Sequence, residues 1–239
     1  METQEGKTYL TVPHERGELS FQYPAFKGTY TSVAEQIDKA GLKRPTSAET
    51  ASLVYEAWKN PKEESSLKII SILKNHWLWE FTGNLYLPKS DEEISNGVIL
   101  ETNPKIENGP NGISSGVKLI MDKNSLIQRL KDNDSLVKFV PFGYKIGKQA
   151  QKELEKNEYI IKRYGKEGAE KIAEVASRYK NNPYLWSFDS SVNEEETMMS
   201  ALRSALDIGW DFRDGLDVVG NNWNDNGSGH AFGVCSKEK

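Results

Sequence analysis

SALDIGWDFRDGLDVVGNNWNDNGSGHAFGVC, residues 204–235, contains no Lys, Glu, Gln or Met. Elsewhere Lys and Glu make up about a fifth of the chain. At that frequency a 32-residue window free of both arises roughly once in a thousand windows. The same stretch carries five of the eleven Asp residues, Asp207, Asp211, Asp214, Asp217 and Asp225, together with Asn221, Asn222, Asn224 and Asn226. Turn chemistry accounts for part of the Asn, Asp, Gly and Ser content, because these residues bond their own backbone and tolerate positive φ. It does not account for the four missing residue types. The decisive feature of this chain is therefore a change of composition near its end.

Outside that window the sequence is ordinary. It has 239 residues, 37% hydrophobic and 28% charged, with 31 Lys+Arg against 35 Asp+Glu and a net charge of -4. Six Trp residues provide apolar surface worth burying, which argues for a folded chain. One cysteine, Cys235, excludes an intramolecular disulfide framework and a multi-cysteine metal cluster. No block of basic residues could neutralise phosphates, so nucleic acid is not an expected partner. No apolar run approaches the length of a membrane span, so no membrane insertion is expected. The first seven residues lack the basic and then apolar regions of a signal peptide. Localisation is left open by the sequence, and display at a cell surface or outside the cell would need another route.

Periodicity gives the elements. Residues 1–28 read as turns and short extended pieces, punctuated by Pro13, Gly17, Pro24 and Gly28. A short helix is expected at 31–40. Thr46-Ser47-Ala48-Glu49 has the form of a capping box before an apolar face of Ala51, Val54, Tyr55 and Trp58, and a second helix runs over 63–75. Trp77, Trp79 and Phe81, then Leu85 and Leu87, alternate as in a strand. Val98–Leu100, Val117–Met121 and Val137–Val140 are further strands, with a loop over 101–116. Helices are expected at 125–131, 148–156 and 165–180, and a strand at 184–188. Beyond Asp189 regular structure thins, with Glu194–Glu196 as the first turn of a helix and strands only at Leu216–Val219 and Ala231–Cys235. No repeat or linker divides the chain. The expectation is one α+β domain, 1–239, with helices on a small antiparallel sheet.

No catalytic or metal constellation stands out. His14, His76 and His230 are scattered, and three or four spaced ligands are needed for zinc. Gly227–Gly233 is one residue away from a dinucleotide loop, and no helix follows to hold a pyrophosphate. Asn222–Gly227 begins like a calcium loop, but its twelfth position is Gly233 instead of a bidentate Glu. Trp223-Asn224-Asp225 is the tripeptide of calcium-dependent animal lectins, without their upstream proline loop or disulfides. Cys235 has no adjacent His and sits in a strand, as an inert buried thiol does. No cofactor, no metal and no enzymatic activity are expected.

The residue types missing from 204–235 make the chain resemble the variable proteins of diversity-generating retroelements, in particular the archaeal, nanoarchaeal type. In that family, adenines of Asn codons are randomised, which reaches fifteen amino acids but never Lys, Glu, Gln, Met or Trp. Trp210 and Trp223 would then be fixed scaffold positions, as large aromatics that anchor a loop-rich face. The ending from Gly220 through Trp223 to Ala231-Phe232-Gly233-Val234 is similar to the close of the C-type lectin fold these proteins use. Arg44-Pro45-Thr46-Ser47-Ala48-Glu49 and Trp77 to Gly83 also resemble archaeal members. The resemblance implies a C-type lectin-like fold of the formylglycine-generating-enzyme-like subclass, with 1–203 as scaffold and about 204–235 as a variable ligand-binding region. It implies ligand-contacting side chains at Asp211, Arg213, Asp214, Asp217, Asn221, Asn222, Asn224, Asn226, Ser228 and His230, each replaceable without emptying a core. Trp210, Trp223, Phe232 and Gly233 would hold the site. The partner would be a protein or glycan of a host, symbiont or environmental surface. The alternatives are a calcium-dependent carbohydrate lectin, or an enzyme of the formylglycine-generating-enzyme fold, whose chemistry depends on cysteines.

Overall fold

The computed structural model describes residues 2–4, 7–15, 17–107, 118–204, 214–222 and 227–235. In chain order these form β1 (Glu2–Gln4), β2 (Lys7–His14), β3 (Gly17–Tyr23), β4 (Phe26–Gly28), α1 (Tyr30–Lys39), α2 (Ser47–Lys59) and α3 (Glu64–Asn75). There follow β5 (Leu78–Leu87), β6 (Gly97–Thr102), β7 (Lys105–Glu107), β8 (Lys118–Ile120), α4 (Lys123–Lys131), β9 (Val137–Pro141), β10 (Gly147–Lys148), α5 (Gln151–Lys156) and α6 (Glu158–Ala176). The chain then adds β11 (Tyr184–Trp186), β12 (Glu196–Ser204), β13 (Leu216–Asn222) and β14 (Gly229–Ala231).

Local signals set the helices. Thr29 accepts from the Ser32 amide to start α1. Thr46 and Glu49 form the expected capping box of α2, with Thr46 Oγ1 accepting from the Glu49 amide at 3.2 Å and Glu49 Oε2 from the Thr46 amide at 2.8 Å. The long helix α6 starts seven residues before the expected Gly165, with Asn157 as its cap and a kink at Gly165, where φ is +73°.

Among the described residues the main sheet has nine strands, in the order β10-β11-β13-β12-β5-β14-β4, with β6 and β9 continuing from β5. It is larger than the sequence suggests, and it is mixed: β11 pairs with β13 and β14 with β5 in parallel. Every residue of β5 is buried, because both faces of the sheet are covered. Leu78 and Tyr86 join a core with α2, α3 and α6, while Trp79, Phe81, Leu85 and Leu87 join one with α1 and α4. A strand buried on both sides usually reads as a near-continuous apolar run; β5 departs from this at Glu80, Thr82 and Asn84, which are buried polar residues.

Three expectations are corrected. Residues 7–23 form a regular hairpin, β2 with β3, in place of short extended pieces. Lys105–Glu107, within the expected loop, pairs with β8. Glu196 opens β12, which lies between β5 and β13, where a helical first turn was expected. Its Met, Ala and Leu residues favour helix intrinsically, and burial between two strands overrides that preference.

The C-terminal residues close the molecule. Gly233 O accepts from the Gln22 amide at 2.9 Å, Val234 exchanges two backbone bonds with Lys43, and Cys235 N donates to Ser20 O at 2.8 Å. Phe232 is buried among the helices of the first core. Cys235 is half-buried, where a buried thiol was expected. Among the described residues no helix is long and apolar enough to cross a membrane.

Candidate functional site

Five strands have a terminus at one end of the sheet. Leu202 pairs with both Leu78 and Val218, Ser204 with Leu216, His230 with Leu78, and Tyr184 with Asp217. The end of β12 therefore meets the beginnings of β5, β11, β13 and β14. In sequence, residues 205–213 fall between β12 and β13, and 223–226 follow Asn222 at the far end of β13.

In-register partners point to the same side of a sheet. Arg203, Asp217 and Tyr184 thus form a row across β12, β13 and β11 on one face, and Trp77, immediately before β5, extends it by its contact with Arg203. The Arg203 guanidinium carbon lies 4.4 Å from the Trp77 ring centre, within cation–π range. Arg203 Nε is 3.5 Å from Asp217 Oδ2. Trp77 in turn lies parallel to Trp79, with centroids 5.7 Å apart and planes 6° apart. The Tyr184 and Trp186 rings lie with centroids 4.3 Å apart and planes tilted by 33°.

The opposite face of the same end holds two imidazoles. His76 and His230 have ring centres 4.8 Å apart. Burial, then the neighbouring charges of His76 and Lys27, hold the His230 ring down at a pKa of about 4, against a weaker pull upward from the Ser228 backbone. Burial dominates because it penalises the charged imidazolium. Gly229 lies against Trp79: a Cβ at that position would overlap the indole.

Beneath the site runs a buried polar network. Arg163 on α6 pairs with Glu80 on β5, both side chains fully buried. Burial raises the Glu80 carboxyl, against the opposing pull of Arg163. Arg163 Nη1 also donates to Val219 O at 3.0 Å, and Tyr86 Oη to Gly220 O at 3.0 Å. Tyr159 Oη donates to Asn84 Oδ1 at 2.6 Å, and Asn84 Nδ2 donates to Met198 O and Ser200 Oγ. The pairing of β12 shifts register on both sides around Met199. Side chains therefore bond backbone groups beside a bulge, where the ladder is interrupted. Gly220 fits because a Cβ there would overlap the Tyr159 hydroxyl.

The structure sorts the expected contact residues. Asp214 is exposed, and Asn221, Ser228 and His230 are half-buried. Asp217 and Asn222 are buried, at 2% and 8% exposure. Their expected freedom to vary without touching the interior is corrected: β13 is an inner strand, and Asp217 faces Arg203 across it. Asp211, Arg213, Asn224 and Asn226, with Trp210 and Trp223, lie outside the described residues, as does most of the calcium-loop-like stretch. Among the described residues no group of three or more His, Cys, Asp or Glu could hold a metal ion.

No family model matches the chain, and no curated protein matches it either. A solved structure described as "Accommodation of massive sequence variation in Nanoarchaeota by the C-type lectin fold" superposes with a TM-score of 0.55 at 14% sequence identity, over 96% of this chain and 98% of that one. The chain has the C-type lectin fold. In this C-type lectin fold the row from Trp77 to Tyr184 and the Glu80–Arg163 pair went unnoticed in the sequence. The alternation Trp77, Trp79, Phe81 was the available signal for the first. Nothing local announces a partner 83 residues away for Glu80.

Proposed function

We propose that the chain is a ligand-binding protein, not an enzyme, whose C-terminal surface is diversified by a retroelement. Within the C-type lectin fold we place it in the formylglycine-generating-enzyme-like subclass, used as a scaffold. The observation that carries this reading is the absence of Lys, Glu, Gln and Met across residues 204–235, the pattern left by randomising adenines in Asn codons. The strands that border residues 205–213 and 223–226 support it. The backbone of β13 is bonded by Arg163 and Tyr86, and Gly229 of β14 packs against Trp79, none of them among the expected variable positions. A surface on a rigid support binds with a smaller entropy cost. The variable side chains would be Asp211, Arg213, Asp214, Asn221, Asn224, Asn226, Ser228 and His230, and the partner a protein or glycan on a host, symbiont or environmental surface.

The test is the DNA beside the gene. The reading expects a second copy of the 3′ end, differing almost only at adenines, next to a reverse-transcriptase gene. Flanking sequence with no such copy overturns it.

A further inference from the structure

Arg203 stands apart from the other arginines of known placement. Arg163 is spent within the core, and Arg44, Arg129 and Arg178 are each paired with carboxylates through a terminal nitrogen. Arg203 meets Asp217 only through Nε, at 3.5 Å, and its guanidinium lies on Trp77. Among the described residues neither terminal nitrogen has a hydrogen-bond partner, and the side chain is 31% exposed. Trp77 holds the guanidinium carbon 4.4 Å from its ring centre and Asp217 engages Nε. The outer edge, with two parallel terminal nitrogens, remains for a ligand.

We propose that this edge receives an Asp or Glu carboxylate of a partner protein, which rests on the binding function proposed above and names the chemistry of one contact. Two parallel N–H groups match the two oxygens of a carboxylate, in the bidentate geometry that distinguishes Arg from Lys. Asp217 already offsets the guanidinium charge, so long-range attraction is weak and recognition depends on the fit of two oxygens to two donors. A simple anion such as chloride is a poor substitute. The row Trp77, Arg203, Asp217 and Tyr184 crosses three strand gaps, about 14 Å. Asp217 is buried within this row, so its half-buried members Trp77, Arg203 and Tyr184 are the ones that can meet a partner, and Trp, Tyr and Arg are the residues that dominate protein contacts.

The test is an NMR titration of the Trp77 indole and Arg203 Nε–H resonances at fixed ionic strength. The probes are N-acetylglutamate α-amide, its neutral glutamine counterpart, and sodium glucuronate as an acidic sugar. Saturable shifts at both resonances with the glutamate probe and none with the glutamine probe are expected. Arg203→Lys should weaken binding about tenfold or more, since it keeps the charge and loses the fork. No shift with the glutamate probe in the unmodified protein overturns the proposal without reference to any variant, as does equal binding by Arg203→Lys. Tighter binding of glucuronate than of the glutamate probe overturns the assignment to a protein partner. The two readings fail separately. If the adenine-differing repeat is found and the titration is silent, only the carboxylate contact falls. If the titration saturates and no repeat exists, the contact stands and diversification falls.

Discussion

Neighbouring residues of one strand end in opposite circumstances here. Asn221 is half-buried and Asn222 is 8% exposed, because successive side chains of β13 point to opposite faces. Replacing Asn221 by Tyr is expected to change stability by less than about 0.5 kcal/mol, as at surface positions, and Asn222→Tyr to cost about 1–3 kcal/mol through overpacking. Urea denaturation of the two variants checks this; equal costs would contradict it. Gly229→Ala should likewise cost about 1–3 kcal/mol, since its methyl must displace the Trp79 indole. His230 gives a pH signature. Its ring ionises at about 4 when folded, against 6.5 ordinarily. Between those values the unfolded chain binds more protons, so stability falls as pH drops from 6.5 toward 4. Thermal melts at pH 7 and pH 5 should show a smaller acid loss for His230→Gln than for the unmodified protein. Composition located this region, but it could not distinguish Asn221 from Asn222, since that depends on which face of β13 looks inward.

At the scale of elements, helices were legible because their signals are local. The capping box of α2 and the stop of α1 before Gly41 are written within a few residues. Strand β12 was not legible, because its residues favour helix and one of its two partners, β5, lies more than a hundred residues upstream. The same distance hid the network that anchors β13. Removing one partner of a buried ion pair leaves an uncompensated charge. Arg163→Met is therefore expected to cost about 3–5 kcal/mol in urea denaturation, with part recovered when Glu80→Gln is added. Tyr86→Phe loses the bond to Gly220 O, for about 1 kcal/mol. It should speed amide exchange within Leu216–Asn222 more than within the β2–β3 hairpin. Uniform acceleration across the chain would show that Tyr86 has no particular hold on β13.

For the whole molecule, the scaffold and the C-terminal segment obey different constraints. The scaffold buries β5 on both faces and draws the chain's last described residues onto β3 and Lys43. Its composition is unremarkable, yet Arg44–Glu49 and Trp77 to Gly83 took part in the resemblance that implied a C-type lectin fold, and superposition at 14% identity shows that fold. Residues 204–235 show the reverse: their composition is informative, and their described part includes β13 and β14. The sequence pointed to a binding surface, and the structure shows that two of its expected positions, Asp217 and Asn222, belong to the interior. The central claim is that variation is confined to this end of the chain. Amplicon sequencing of the gene across its source population tests that most directly. The account predicts substitutions concentrated within codons 204–235, none yielding Lys, Glu, Gln or Met, with Trp77, Glu80, Arg163 and Gly229 constant. Variation spread evenly along the gene, or Lys and Glu appearing freely within that window, would contradict it.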